Sequence, residues 1–134
     1  MQSVDRTEKE VLCSLTGPVV RGKGKGRTVG MPTVNLGITE EMKLPPLGVY
    51  ATLVHRGEET FMGVTNVGTR PSVDNEERIT VETLILDFSG DVYDQEITVE
   101  FYHYIRPIRK MESLKAVQLQ VEKDSLVARA YFSR

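Results

Sequence analysis

The feature that most constrains this chain is a series of short segments rich in β-branched and aromatic residues, each bounded by turn residues. These segments span residues 11–20, 48–55, 60–67, 79–88 and 96–104. The connections at 56–58 and 89–91 are far shorter than the dozen or so residues that a parallel crossover needs. We therefore expect a mostly antiparallel sheet, with a hairpin at each of these two connections.

The segment 79–88 indicates how the sheet is closed. Apolar side chains alternate onto both of its faces, with Ile79, Val81 and Ile85 on one face and Leu84, Leu86 and Phe88 on the other. A strand with two apolar faces is covered on both sides. We therefore expect it to lie in the wall of a β-barrel, with a second layer packed outside.

The C-terminal segment is the expected outer layer. Apolar residues recur there at steps of three and four among Lys, Gln and Glu, namely Met111, Leu114, Val117, Val121 and Ala128. This spacing predicts one amphipathic helix, with Ser113 as its N-cap and Pro107 ending the preceding strand. The fold class is thus mostly β, a closed β-barrel with a C-terminal α-helix. One domain spans 1–134, with a polar N-terminal extension over 1–10.

Composition excludes several function classes. A formal net charge of −2 provides no general attraction to nucleic acid or anionic membranes. Cys13 is the one cysteine, which excludes an internal disulfide and a cysteine-based zinc cluster and is typical of a reducing cytosol. Residues 1–10 lack the apolar core of a signal peptide, and no apolar run reaches about 18 residues. We expect a cytoplasmic protein without nucleic-acid or membrane partners.

The stretch 17–36 contains five glycines and four basic residues but no acidic one. Glycines let backbone N–H groups approach phosphate oxygens, and basic side chains compensate phosphate charge. The candidate ATP-binding residues are Gly22, Lys23, Gly24, Gly26 and Arg27, followed by Thr33. A flexible, solvated surface loop has a similar composition, and neither of the two common nucleotide-binding glycine motifs is present. Both interpretations stay open.

Thr33 and Asn35 lie at the C-terminal end of this stretch and are candidate metal ligands. Two residues apart on an extended segment, they lie on one face and can reach one ion. Magnesium bound to a nucleotide takes only one or two ligands from protein, because phosphate and water oxygens supply the others. The alternative is that Thr33 starts a strand and Asn35 satisfies a local turn.

Glu82 interrupts an apolar strand, on the face shared by Leu84, Leu86 and Phe88. A buried carboxylate is usually ion-paired, bound to metal or used in proton transfer, because burying it unpaired costs several kcal/mol. We favour a functional role over a structural ion pair. His55 and His103 stand in no nucleophile or carboxylate motif and receive no role.

Seven blocks in order along the chain resemble the riboflavin kinase family, including the kinase domain of bacterial bifunctional riboflavin kinase/FAD synthetases. The blocks are 17–22, 26–35, 46–50, 63–71, 81–88, 105–107 and 120–124. Several ordered motifs are far more specific than any one of them. The resemblance implies a six-stranded antiparallel barrel with ATP and riboflavin in facing clefts, and transfer of the γ-phosphate of ATP to riboflavin.

The resemblance also implies roles for single residues. Thr33 and Asn35 match the family's magnesium ligands, and Glu82 matches its catalytic base. Arg106 matches an arginine of the loop that closes over the flavin, and Met111 belongs to the same flavin-binding region. The expected partners are riboflavin/FMN and ATP/ADP with Mg²⁺ as cofactor, and the chain is expected to be a monomer.

Three positions depart from the family pattern. Val34 replaces a usual Ala, Ile108 a usual Glu, and Met111 a common Phe. The last two bear on the flavin contacts and leave the phosphate chemistry intact. They keep one alternative open, a non-catalytic flavin- or nucleotide-binding barrel that acts as a regulator. A purely structural barrel is disfavoured, because it would not need Glu82.

Overall fold

A computed structural model describes residues 9–20, 33–71 and 77–133 of the chain. Within these ranges it contains six strands and one helix: β1 (Cys13–Val20), β2 (Val34–Leu36), β3 (Gly48–Arg56), β4 (Glu59–Pro71), β5 (Glu77–Ile85), β6 (Glu96–Arg106) and α1 (Leu114–Phe132). The strands form a closed barrel in the order β1-β2-β5-β4-β3-β6, and all six neighbouring pairs are antiparallel. The predicted six-stranded antiparallel barrel with a C-terminal helix is confirmed.

The hairpin predicted at 56–58 joins β3 and β4. Arg56 faces Glu59 in the register, so the turn has only Gly57 and Glu58 at its centre. Gly57 adopts a φ of 59°, which glycine reaches without a Cβ clash and which a tight two-residue turn requires.

The hairpin predicted at 89–91 is wrong. β5 pairs with β2 and β4, whereas β6 pairs with β1 and β3, so the two strands are not neighbours. The connecting segment instead bonds to β1, because Asp94 N donates to Val19 O and Val19 N donates to Gln95 O. Val92 of this segment is buried in the interior cluster of the barrel. A short connection thus crosses the barrel rather than reversing the chain into an adjacent strand.

β2 is the strand that the residue pattern did not show by itself. It has three residues, too few for an alternating pattern to be recognised. It completes the barrel by pairing with β1 through Val19 and Leu36, and with β5 through Asn35 and Glu82.

The barrel interior is filled by apolar side chains and a short chain of hydroxyl groups. The buried apolar residues are Leu15, Val19, Leu36, Tyr50, Val54, Val67, Val81, Ile85, Val92, Ile97, Val99 and Phe101. Among them, the hydroxyl of Thr65 is hydrogen-bonded to that of Thr52 at 2.9 Å and to that of Thr83 at 2.8 Å. Each buried hydroxyl therefore has a partner, as a buried polar group requires.

Helix α1 covers one side of the barrel. Its contact with the outer face buries Val49, Ala51, Val64, Leu86 and Ala128, with Leu84, Ile105 and Phe132 packed against them. The side-chain oxygen of Ser113 accepts a hydrogen bond from Ala116 N at 3.0 Å, which confirms the predicted N-cap. β6 ends at Arg106, directly before Pro107, as predicted. Within the described residues, no helix is long and apolar enough to cross a bilayer.

Two predictions about these faces need correction. Met111 precedes the helix and Leu114 is 55% exposed, so neither belongs to the covering face. Phe88 does not lie with Leu84, since β5 ends at Ile85 and the chain then turns. Its ring packs edge-on against Phe61, with centroids 5.1 Å apart, beside the interior cluster.

Candidate active site

A row of polar side chains crosses the outer face of the barrel. Glu82 on β5 lies opposite Asn35 on β2 and opposite Asn66 on β4. Residues directly opposite each other in antiparallel strands point to the same face, with Cβ atoms about 5 Å apart. The row continues from Asn66 through buried Val49 to Arg106 at the end of β6. Strand pairing alone therefore brings an amide, a carboxylate, a second amide and a guanidinium into one line.

Thr33, directly before β2, fixes the carboxylate of this row. Its Oγ1 donates a hydrogen bond to Oε2 of Glu82 at 2.5 Å, at the short end of the range for O–H···O hydrogen bonds. Glu82 is half-buried, and no ion pair involves it in the part of the chain that the structure describes. Its partner there is a hydroxyl group and not a cation. The geometry thus differs from that of a structural ion pair.

The donor set around Glu82 suits a nucleotide-bound magnesium ion. A hydroxyl group has one hydrogen and two acceptor lone pairs, so Thr33 can donate to Glu82 and still offer a lone pair to a cation. Asn35 lies on the same face and adds an amide oxygen. Among the described residues, no three His, Cys, Asp or Glu side chains cluster to hold a metal without other ligands. A magnesium ion bound to a nucleotide needs only a few oxygen ligands from the protein, because phosphate and water oxygens complete its coordination shell.

A pocket of about 280 Å³ adjoins the other end of the row. It lies between the end of β6, the following loop and α1, and it is lined by Asn66, Arg106, Ile108, Arg109, Met111, Val117, Gln120 and Val121. The lining combines aliphatic side chains with amides and guanidinium groups, as expected where a largely apolar ligand carries a few polar atoms. Asn66 belongs to both the row and the pocket, so Glu82 lies between the Thr33–Asn35 pair and the pocket.

The arginine at the pocket is held from behind by a buried carboxylate. Arg106 Nε donates to Oδ1 of Asp124 at 3.0 Å, and its NH2 donates to Oδ2 at 2.9 Å. Asp124, on α1, is only 2% exposed. This two-point pairing fixes the plane of the guanidinium as well as its position.

The structure brings together most of the predicted site residues. Thr33, Asn35 and Glu82 meet at one point on the outer face, and Arg106 and Met111 line the pocket. The predicted ATP-binding residues of the glycine-rich stretch, Gly22, Lys23, Gly24, Gly26 and Arg27, lie outside the described residues.

The two histidines have structural partners away from this site. His55 Nε2 lies 2.7 Å from Oε1 of Glu100, and His103 stacks on Tyr131 with ring centroids 4.9 Å apart. The prediction that they are ordinary strand residues agrees with these contacts. The carboxylate beside His55 comes from the neighbouring strand β6, which no local motif could show.

Residue patterns alone missed Asn66, Gln120 and Asp124. Asn66 did carry a signal, because it is a polar residue on the same face as apolar Val64 in β4. Asp124 lies in the block 120–124 that resembles the family, but its position in an amphipathic helix does not separate it from the other charged residues there. Its burial becomes evident only when α1 is packed against the end of β6.

The closed barrel with a helix on one side defines a β-barrel protein whose outer face carries a candidate small-molecule site, where a carboxylate lies between candidate metal ligands and a pocket. The sequence profile of the family described as Flavokinase, riboflavin kinase, matches residues 10–132. The chain therefore belongs to the riboflavin kinase family. The family resemblance inferred from the sequence motifs is confirmed.

The curated relatives include bifunctional riboflavin kinase/FMN adenylyltransferases. That of Bacillus subtilis (strain 168) is 37% identical over 121 residues, covering 89% of this chain and 38% of the relative. That of Listeria monocytogenes is 33% identical over 118 residues, covering 88% of this chain and 38% of the relative. The chain thus spans about two fifths of the length of these relatives, 38% in each case.

Two solved structures share the fold. Riboflavin kinase from Trypanosoma brucei superposes with a TM-score of 0.66 at 21% identity, covering 90% of this chain and 80% of that one. A Streptococcus pneumoniae protein described as a macrolide-efflux protein gives a TM-score of 0.80 at 31% identity, covering 87% of this chain and 38% of that one. Because these descriptions disagree, the family assignment rests on the profile match and the curated relatives.

Proposed function

We propose that this chain is a riboflavin kinase, which transfers the γ-phosphate of ATP to the ribityl 5′-hydroxyl of riboflavin and forms FMN and ADP. The observation that carries this proposal is the position of Glu82. Its carboxylate is hydrogen-bonded to Thr33, lies opposite Asn35 on one side, and lies opposite the pocket-lining Asn66 on the other. A base between a nucleotide site and an acceptor site is the arrangement that phosphoryl transfer to a hydroxyl group needs.

The pocket would take the flavin. Ile108, Met111 and the valines of α1 offer an apolar surface for the ring system, and the amides of Asn66 and Gln120 offer hydrogen bonds to its heteroatoms. With the ring held there, the ribityl chain would extend along the polar row toward Glu82. Its terminal hydroxyl would then lie within reach of the carboxylate.

On the other side of Glu82, the oxygens of Thr33 and Asn35 would hold the magnesium ion that accompanies ATP. When bound, this ion neutralises part of the phosphate charge. The glycine-rich stretch, with Lys23 and Arg27, is proposed to bind the polyphosphate. Thr33 and Asn35 lie at the C-terminal end of this same stretch, so the nucleotide and the metal ligands would be adjacent.

Glu82 would act as the general base. Oε2 accepts the hydrogen bond from Thr33, which fixes the carboxylate and leaves Oε1 to accept the proton of the ribityl hydroxyl. As the proton leaves, that oxygen attacks the γ-phosphorus in line with the departing ADP oxygen. Because phosphoryl transfer requires mainly positioning and charge neutralisation, this one base with its fixing hydroxyl completes the set of protein groups.

The test is incubation of the purified chain with riboflavin, ATP and Mg²⁺, with chromatographic separation of the flavins. We expect ATP-dependent FMN and no FAD, because adenylyl transfer needs a nucleotide site of its own and no His-x-Gly-His motif occurs in the sequence. Flavin binding without FMN would favour the alternative, a regulatory flavin-binding barrel. FAD formation from FMN would contradict the restriction to one activity. The monomeric state, the cytoplasmic location and the absence of nucleic-acid binding stay predictions.

A further inference from the structure

We propose that Asp124 is a positioning residue of the pocket, which acts on the flavin only through Arg106, Gln120 and Arg109. This inference rests on the proposed function, since it takes the pocket to be the riboflavin site. Asp124 is the one acidic residue among the buried side chains of the described structure, and the mechanism above does not use it. It does not line the pocket, so any effect it has on the ligand must pass through its partners.

Asp124 holds Arg106 in one orientation. Besides the two nitrogens that donate to Asp124, the NH1 group of Arg106 donates to Pro107 O at 3.1 Å. These contacts use three of the five N–H bonds of the guanidinium, one on Nε and one on each terminal nitrogen. One N–H on each terminal nitrogen is therefore left for a ligand. A fixed pair of donors suits an acceptor atom of a flat ligand better than a mobile side chain would.

Asp124 also orients Gln120, one helical turn earlier. Gln120 Nε2 donates to Oδ1 of Asp124 at 3.0 Å, and its Oε1 accepts from Arg109 NH2 at 3.1 Å. An ionised carboxylate only accepts hydrogen bonds, so the amide must turn its nitrogen toward Asp124 and its oxygen toward Arg109. The charge of Asp124 thereby selects the amide orientation that anchors Arg109 of the loop.

The result is a four-residue chain of hydrogen bonds around one side of the pocket, in the order Arg106, Asp124, Gln120, Arg109. It joins the end of β6, two turns of α1 and the loop between them. Three of its members line the pocket, and Asp124 lies behind them as their common anchor. An Asn at position 124 would replace one acceptor oxygen with an N–H donor that faces the donors of Arg106 and Gln120. The two arms of the hydrogen-bond chain, Asp124 to Arg106 and Asp124 through Gln120 to Arg109, would therefore both weaken.

The first test variant is Asp124→Asn in the full 134-residue chain, with Asp87→Asn as the matched control. Asp87 also pairs with an arginine, Arg129 of α1, but this pair lies at the surface and outside the pocket lining. We expect the riboflavin Kd from flavin fluorescence, and the KM for riboflavin, to rise about tenfold in Asp124→Asn. The KM for ATP and kcat at saturating riboflavin should stay within about twofold of the parent. The Asp87→Asn control should match the parent in the riboflavin Kd, the KM for riboflavin, the KM for ATP and kcat.

Two results with a folded Asp124→Asn protein would overturn the proposal. One is an unchanged riboflavin Kd. The other is a parallel change in the riboflavin KM, the ATP KM and kcat that follows the loss of folded protein, which indicates a role in stability alone. Circular dichroism on the same samples measures the folded fraction.

A second variant decides the question if Asp124→Asn does not fold. Gln120→Met keeps a good helix former of similar size and removes the hydrogen bonds to Asp124 and Arg109, together with any hydrogen bond from the Gln120 amide to the flavin. We expect a riboflavin Kd about threefold higher, and a loss that is not additive with that of Arg109→Ala, because both changes break the same arm. An unchanged Kd, or strictly additive losses, would overturn the proposal. A parent protein that binds riboflavin but makes no FMN would refute the proposed kinase activity instead, and the Kd comparison would still test the positioning role.

Discussion

Replacing Glu82 with Gln tests the central step of the proposed mechanism. Glu82→Gln keeps the size of the side chain and removes its basicity. The new amide oxygen can still accept the hydrogen bond that Thr33 Oγ1 now donates to Glu82 Oε2. No ion pair of Glu82 is broken within the described part of the chain, so no buried cation there loses its partner. Activity and stability should therefore respond very differently.

The expected sizes follow from these contacts. Loss of a general base lowers kcat by about 10²–10⁴-fold, which corresponds to about 3–5 kcal/mol of transition-state stabilisation. The hydrogen bond from Thr33 changes from a charged to a neutral acceptor, which costs about 1 kcal/mol of folding free energy. For a domain of this size, that is a fall in Tm of about 3–5 °C. Binding of ATP and riboflavin should stay close to that of the parent.

The assay is single-turnover FMN formation, with thermal unfolding and substrate titrations on the same samples. Glu59→Gln is the matched control, because Glu59 forms an exposed ion pair with Arg56 in the β3–β4 hairpin, away from the polar row. A folded, substrate-binding Glu82→Gln protein with near-normal turnover would refute the base assignment. Loss of about 3–5 kcal/mol of stability, with activity falling only as the protein unfolds, would show that Glu82 is a structural ion-pair partner instead.

Three further predictions concern the metal ligands, the barrel interior and the surface. Thr33→Ala and Asn35→Ala should each raise the KM for Mg·ATP about tenfold, and parent-like titrations with Mg²⁺ would contradict the metal assignment. Asn35→Ala should change Tm little, whereas Thr33→Ala should lower Tm at least as much as Glu82→Gln does, because it removes the hydrogen bond to Glu82 altogether. Gly63→Ala should cost about 1–3 kcal/mol in chemical unfolding, because its Cβ would lie 2.9 Å from a buried threonine hydroxyl. The control Gly68→Ala places its Cβ 3.8 Å from the nearest side-chain atom and should change stability by less than about 0.5 kcal/mol, so equal losses would refute the packing argument. Hydrogen bonds from the Arg129 guanidinium lower the pKa of Asp87 below its ordinary 3.8. The Asp87–Arg129 pair therefore stabilises the fold above that pH, and this stabilisation is lost as the pH falls through the lowered pKa. Asp87→Asn should therefore be less stable than the parent at pH 7 and should converge with it in acid, and a constant difference in urea midpoints would refute the linkage.

The sequence by itself determined the elements whose signals are local. Alternating β-branched residues predicted five of the six strands, and the three-to-four-residue spacing with Ser113 predicted the helix and its N-cap. Glu82 was identified because a carboxylate in a strand with two apolar faces is energetically unusual. Thr33 and Asn35 were identified because two residues at a spacing of two share a face on an extended chain. Each of these inferences needs only neighbours within a few positions.

Only the tertiary structure decided which elements meet. The order β1-β2-β5-β4-β3-β6 separates β5 from β6, although a short connection between them had suggested a hairpin. That order places Asn66 beside Glu82, and the packing of α1 buries Asp124 behind Arg106. Local patterns specify which way a side chain points along its own strand or helix, because the backbone period is local. Local patterns do not specify which residue of another strand or helix a side chain contacts. Strand order and helix docking are set by the closure of the whole barrel and by the burial of its outer face.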